Sequence, residues 1–130
     1  MYLLDSDYLI HFLNGDNKTV QTIQILQSSG FPTSIINIAE LLEGFLVVKE
    51  NKKIALFDQL LTTLTVYPVD FNVAHQFAKI RQILRKKGRL IDNLDILIAA
   101  TCLAHDQILL TYNHKHFDRI PNLRIYQKNN

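Results

Sequence analysis

The run Asp92-Asn93-Leu94-Asp95-Ile96-Leu97-Ile98-Ala99-Ala100-Thr101-Cys102-Leu103-Ala104, followed after three residues by Ile108-Leu109-Leu110-Thr111, decides the fold class. Asp92 or Asn93 can open a helix by accepting hydrogen bonds from its first amides. From Ile96 to Ala104 that helix is apolar nearly all round, the pattern of an element buried on every side. Ile108–Thr111 shows no apolar–polar alternation, so both faces of that strand must be covered, as in a parallel sheet.

The same alternation recurs upstream. Tyr2-Leu3-Leu4 predicts a short strand ending at Asp5, with Ser6 or Asp7 capping a helix through Leu13 that Asn14-Gly15 stops. Asp16 or Asn17 opens a second helix with Val20, Ile23, Leu26 and Gln27 along its stripe, and Gly30 follows its end. Phe31–Ile36 reads as strand two. Asn37 then caps a helix to about Glu50, with Ile38, Leu41, Leu42 and Phe45 on one side. Another helix covers about Lys52–Leu64, and Thr65–Val69 is a β-branched strand that Pro68 shortens or sets at a sheet edge. Asp70 opens a long helix to Lys87, with Phe71, Ala74, Phe77, Ala78, Arg81 and Leu84 sharing a face and Gly88 just beyond its end. Leu123–Tyr126 can add a last strand. The order β-α-α-β-α-α-β-α-α-β predicts an α/β fold, a central and mainly parallel sheet covered by helices, as a single domain over residues 1–130.

Composition narrows the function classes. Hydrophobic residues make up 48% of the 130 and charged ones 20%, which excludes disordered and low-complexity chains. The one cysteine, Cys102, can form neither an internal disulfide nor a Cys-rich zinc site, so a reducing compartment is expected. The longest uncharged apolar stretch, about Ile96–Ala104, is half of the ~20 residues that span a bilayer. Asp5 precedes any apolar stretch, so no secretion leader is read and a cytoplasmic protein without a membrane partner is expected.

Charge is unevenly spread. Residues 1–65 carry four lysines against seven acids, a net of −3, and residues 66–130 carry ten basic side chains against five acids, a net of +5. Six of those ten lie between Lys79 and Arg89 with no acid among them. This is either a phosphate-facing surface or a solvated helix face.

In a parallel sheet, ligands sit beyond the carboxyl ends of the strands, near the switch in strand order. Asp5 ends strand one, Glu40 lies in the first turn of the helix after strand two, and Asp95 lies in the first turn of the buried helix. Converged carboxylates repel and raise one another's pKa. A hard divalent cation removes that cost, taking carboxylate and water oxygens while leaving positions open for phosphate. Each acid also has a structural reading. Asp5 can cap the first helix, Asn37-Ile38-Ala39-Glu40 can be a variant capping box, and Asp95 can interact with its own helix N-terminus.

Four segments together resemble the PIN-domain ribonucleases, specifically toxins of the VapC type. They are Leu3-Leu4-Asp5-Ser6-Asp7; Ser34 through Gly44 with Asn37, Glu40 and Leu41; Gly88-Arg89 through Asp95 to Ala100; and Ile108-Leu109-Leu110-Thr111-Tyr112-Asn113 through His116-Phe117. The resemblance covers essentially the whole chain. It implies an α/β/α sandwich and a Mg²⁺- or Mn²⁺-dependent endoribonuclease leaving 5′-phosphate and 3′-hydroxyl ends. It also implies growth arrest, a cognate VapB-like antitoxin and a homodimer. It carries the acidic positions onto Asp5, Glu40 and Asp95, and a fourth position onto Asn113, where many relatives have Asp. His116 stands where an acid often precedes the phenylalanine, and can contact phosphate when protonated. Asp92 stands where toxin relatives often have Gly. It is either a helix cap or a compensating ligand. Lys86, Lys87 and Arg89 can meet the RNA backbone, and Thr111 either bonds near the acids or ends its strand.

Other readings are weaker. Asp5-Ser6-Asp7 after a strand also suits a haloacid-dehalogenase-like phosphatase, but Leu9 stands where that class has Thr or Val, and no late Gly-Asp motif follows. His114 and His116, with no paired Cys or His-x-x-x-His, are a poor zinc signal. His11, His75 and His105 fit helix surfaces or caps. A catalytically weakened PIN-like RNA-binding or scaffold domain is the non-enzymatic alternative, because Asn113 supplies no charge.

Overall fold

The computed structural model describes residues 1–26, 30–49 and 51–127. Among them, β1 (Tyr2–Leu4), α1 (Ser6–Leu13), α2 (Asn17–Leu26), β2 (Phe31–Ser34), α3 (Ile35–Val48), α4 (Asn51–Leu61), β3 (Leu64–Tyr67), α5 (Phe71–Lys86), α6 (Asn93–Ala104), β4 (Ile108–Leu110) and α7 (His114–Phe117) follow in order. The expected alternation is present, with the single turn of α7 added after β4.

The strands pair in parallel in the order β3-β2-β1-β4. The chain starts inside the sheet, steps outward through β2 to β3, then crosses back to place β4 on the other side of β1. Strand order therefore reverses between β1 and β4, and their carboxyl ends open side by side at Leu4 and Leu110. Pro68 follows the last residue of β3, which lies at an edge as its missing amide requires. The strand expected at Leu123–Tyr126 reduces to one parallel bridge between Leu109 and Ile125.

Side chains alternate across each strand, so the sheet feeds two cores. Leu3 and Leu109 join Val73, Ile80 and Leu84 of α5 and the buried residues of α6. Leu4 and Leu110 join Leu9 of α1, Ile23 of α2, Leu41 of α3 and Phe57 of α4. This is the three-layer α/β/α arrangement. The nearly all-apolar α6 buries Ile96, Ile98, Ala99, Ala100, Thr101 and Cys102, as its sequence demands.

Several expected details shift. α1 is capped by Asp5, whose carboxylate accepts from the Ser6 amide at 2.8 Å, rather than by Ser6 or Asp7. β2 stops at Ser34, which caps α3 and forms a reciprocal capping box with Asn37. Asn37 is therefore inside the helix, and Glu40 lies in its second turn rather than its first. On α3, Leu42 is 44% exposed and only Ile38, Leu41 and Phe45 of the expected stripe are buried. On α2, Thr19 and Thr22 are buried beside Ile23 while Val20 is half-buried; Gln27, like Glu50, lies outside the described residues. On α5 the buried face is Val73, Ile80 and Leu84 with Phe77 half-buried, while Phe71 is 81% exposed. Both faces have helical spacing, and the one richer in branched aliphatics removes more apolar surface from water.

Gly88 sits just beyond the Lys87 C-cap with φ of +64°. A Cβ there meets open space, so only backbone strain opposes it. Gly88→Ala is expected to cost about 1 kcal/mol, read as a lower urea midpoint with an unchanged slope.

Candidate active site

A cleft of about 400 Å³ opens at the carboxyl ends of β1 and β4, where strand order reverses. Five carboxylates line it: Asp5, Asp7, Glu40, Asp92 and Asp95. Ser6, Ile10, Asn113 and His116 complete the lining, and His116 alone among these residues can carry positive charge. The expected acids, 35 and 55 residues apart in sequence, thus meet in space, joined by Asn113, His116 and Asp92.

Asp5 is the most firmly held. Its Oδ1 accepts from the Ser6 amide and from Asn37 Nδ2, both at 2.8 Å, and its Oδ2 accepts from Thr111 Oγ1 at 2.7 Å. Each neighbour comes from a different element: the start of α1, the first turn of α3 and the end of β4. Ser6 extends the network, donating from Oγ to Glu40 Oε1 at 2.8 Å while accepting from Asn37 Nδ2 at 2.9 Å. Asn37 can reach both because its Oδ1 is tied back to Ser34 by the capping box.

Asp7 was not among the expected site residues. Its Oδ2 accepts from the Tyr112 amide at 2.9 Å and from Thr111 Oγ1 at 3.3 Å, while its Oδ1 is buried without a hydrogen-bond partner. Its sequence signal was its place two residues after Asp5, half a helical turn on. Ser6 and Asn37 were read only as capping residues, and the fold turns them inward. Thr111 both ends its strand and bonds the acids.

The remaining residues lie at the rim. Asp92 caps α6 through a 2.7 Å bond from the Leu94 amide, as one of its readings expects, and also lines the cleft. Asn113 precedes α7 without spending its side chain on a cap. His116 Nδ1 lies 3.4 Å from Asp95 Oδ2. Lys86, Lys87 and Arg89 are exposed at the end of α5 and just after it, and none lines the cleft. The basic residues beside the acids are instead Lys115 and Arg119, which share an adjoining recess of about 300 Å³ with Asp92, Asp95 and His116.

The site is electrostatically costly. Burial pushes the Asp5 carboxyl above its usual range despite three stabilising hydrogen bonds. Burial, then repulsion from Asp5, pushes Asp7 up to about 6. Glu40 is raised by burial and by Asp5, Asp95 and Asp92, against the Ser6 bond; Asp95 is raised by burial, Asp92 and Asp5, against His116. Burial pushes the Cys102 thiol far up, so it offers no thiolate nucleophile.

Oxygen donors that raise one another's pKa, as Asp5, Glu40 and Asp95 do, are the chemistry a hard divalent cation takes. Among the described residues no three Asp, Glu, His or Cys side chains close around a single point.

The PIN domain family model matches residues 2–123. A ribonuclease VapC1 from Haemophilus influenzae strain R2866 is 30% identical over 128 residues, covering 95% of each chain. A ribonuclease VapC1 from Methanocaldococcus jannaschii is 36% identical over 101 residues, 76% of this chain and 72% of that one. Among solved structures, VapBC2 from Rickettsia felis bound to a promoter DNA fragment contains a chain superposing with a TM-score of 0.89, at 27% identity and 98% coverage of both. With its acids gathered at the strand-order switch and residues 2–123 matched, the chain belongs to the PIN domain family.

Proposed function

We propose that this chain is a divalent-metal-dependent endoribonuclease that hydrolyses RNA phosphodiester bonds, the toxin of a VapBC-type toxin–antitoxin pair. The observation that carries this reading is the meeting of Asp5, Glu40 and Asp95 in one cleft lined by five carboxylates. The ribonuclease names of its relatives and the VapBC complex in which its structural neighbour was solved support the substrate and the partner. The cognate partner is then a VapB-like antitoxin, the toxin acts as a homodimer, and the compartment is the cytoplasm. Among the described residues no helix is long and apolar enough to cross a membrane.

Asp5, Glu40 and Asp95 would hold Mg²⁺ or Mn²⁺, with Asp92 and Asn113 at the edge of the set. The bound ion supplies positive charge against the phosphate and lowers the pKa of the attacking water. The chain's own residues prepare the site. Thr111 and Asn37 fix both oxygens of Asp5, and Ser6 fixes Glu40, so the carboxylates need not reorganise during reaction. His116 beside Asp95 offers a donor to the phosphate oxygens, Lys115 and Arg119 in the adjoining recess offer sequence-independent contacts to the nearby backbone, and Lys86, Lys87 and Arg89 could meet it only beyond the cleft. Hydrolysis by a water needs no covalent enzyme intermediate.

The test is cleavage of single-stranded RNA by purified protein, in Mg²⁺ and in chelator. Cleavage in Mg²⁺ that stops in chelator is the expected result; no cleavage in either leaves the RNA-binding or scaffold alternative. The same assay resolves the rim. Asp92→Ala removes a cap worth about 1 kcal/mol, which cannot alter the metal requirement of protein that stays folded. A charge facing the ion can. Asp92→Ala is expected to raise the half-maximal Mg²⁺ concentration by roughly fivefold, and Asn113→Asp to lower it by a similar factor, the size of about 1 kcal/mol for a solvent-screened charge. If neither midpoint moves, Asp92 is only a cap and Asn113 does not face the ion.

A further inference from the structure

Thr111, whose hydroxyl bonds Asp5 and Asp7 of the acidic cleft, lines a second cavity of about 380 Å³. This neighbour is aromatic rather than acidic: Tyr8, His11, Tyr112, His114 and Tyr126 line it. Its central ring, Tyr112, is 45% exposed and yet fixed from three directions. Tyr8, itself buried, stacks on it at 4.3 Å and 12°. Its hydroxyl hydrogen-bonds with Thr19, and its amide donates to Asp7. His11 approaches the same ring at 4.8 Å, tilted by 48°. A large aromatic side chain held rigid in solvent has already lost the rotamer freedom that binding would otherwise remove.

We propose that this cavity is a nucleobase site, taking one unstacked base of the single-stranded RNA next to the phosphate held in the acidic cleft. The inference rests on the endoribonuclease reading and adds to it the origin of sequence preference. Every base has a π-face that stacks on Tyr or His, and single-stranded RNA is recognised in this way. The lining also carries groups that can read a base edge: Lys18 can donate, while the Asp16 carboxylate and the Thr22 hydroxyl, whose proton goes to the Lys18 carbonyl, can accept. The volume suits a nucleobase within the range of ordinary ligand pockets. Adjacency fixes the register. Thr111 Oγ1 lies 2.7 Å from Asp5 Oδ2, so only one side chain separates the aromatic cavity from the acids. Asp7 binds the Tyr112 amide from the cleft side, so the wall between the two sites is itself hydrogen-bonded in place.

The test combines the RNA with the protein. Cleavage sites are mapped on single-stranded RNAs with the wild type in Mg²⁺. A short substrate carrying a preferred site is then remade with an abasic residue at each position around the scissile bond. One position is expected to lower wild-type kcat/KM by about five- to a hundredfold, the range of base stacking on an aromatic ring. Tyr112→Leu and His11→Ala should lower kcat/KM on the intact substrate and lose most of their effect on the substrate abasic at that position, a non-additive cycle. Tyr112→Phe should keep the preference. His11 is exposed on α1, so His11→Ala keeps the measurement available if Tyr112→Leu does not fold. Efficient cleavage that ignores every abasic position, or variants whose losses are the same on intact and abasic RNA, overturns the base site and leaves the endoribonuclease reading standing. A wild type that cuts no RNA overturns both.

Discussion

Asp95→Asn is expected to lower RNA cleavage by more than about a hundredfold, the ceiling for losing an outer partner of a metal site, without lowering stability. The two halves of that result have one cause. Asp95 is half-buried beside Asp92 and Asp5, and its carboxyl is raised by burial and by their repulsion. Among the described residues the side chain's one polar contact is His116 at 3.4 Å, which is 60% exposed and easily re-solvated. An amide of the same shape removes a charge the fold opposes, so the variant should melt at or above the wild-type temperature near neutral pH. Purified Asp95→Asn assayed beside the wild type, with thermal melts of both, decides the matter. Wild-type cleavage by the variant would remove Asp95 from the site; a variant that melts early would make it a structural residue. Asp5→Asn should behave differently. Asp5 accepts from three donors, and an amide must turn its NH₂ toward Ser6 and Asn37 or toward Thr111. Turned toward Thr111, the NH₂ meets a hydroxyl that can accept while donating to Asp7 Oδ2, a contact already present at 3.3 Å, so Asp5→Asn exchanges hydrogen bonds for the charge it removes and should lose activity while gaining less stability than Asp95→Asn. From sequence the three acids are alike as converged, mutually repelling carboxylates. Only the hydrogen-bond network separates them.

That contrast marks what sequence can carry. The layered fold was legible because burial leaves a periodic trace: the all-apolar Ile96–Ala104 and the unbroken Ile108-Leu109-Leu110 have no other stable use. The acids were legible because they fall at strand–helix junctions, which a parallel sheet gathers at one edge. The supporting residues were not. Ser34 and Asn37 compete for the same capping role, and a two-residue difference in where β2 stops turns Asn37 from a cap into a donor to Asp5. On α5 two faces have helical spacing, and only packing against the sheet selects Val73, Ile80 and Leu84. Tyr112 drew no reading of its own, because its stacking on Tyr8 joins positions 104 residues apart.

The metal-free protein is expected to grow more stable as the pH falls from 8 toward 4, the reverse of ordinary acid denaturation. The sign follows from linkage. Asp5, Asp7, Glu40 and Asp95 all have carboxyls raised in the folded state. Each therefore binds its proton more tightly folded than unfolded. The resulting stability is fully present below the unfolded value and is lost as the pH rises through the folded one. For Asp7 that window runs from about 6 down to the ordinary 3.8. A two-unit difference is worth about 3 kcal/mol over the whole window, of which about 1 kcal/mol appears between pH 7.5 and 5.5. The other three acids add in the same direction. Asp16 is shifted the opposite way by its bonds to Thr19, but it is fully exposed to solvent screening. Each kcal/mol moves the melting temperature of a domain this size by about 3–5 °C. Melts in chelator should therefore rise by at least about 3 °C on going from pH 7.5 to 5.5. Millimolar Mg²⁺ should raise the pH 7.5 melt and have little effect at pH 5, because protonated carboxyls no longer repel and no longer bind a cation. Melts that fall on acidification in chelator would mean the four acids are not mutually uncompensated. A Mg²⁺ effect equal at both pH values would place the ion away from them.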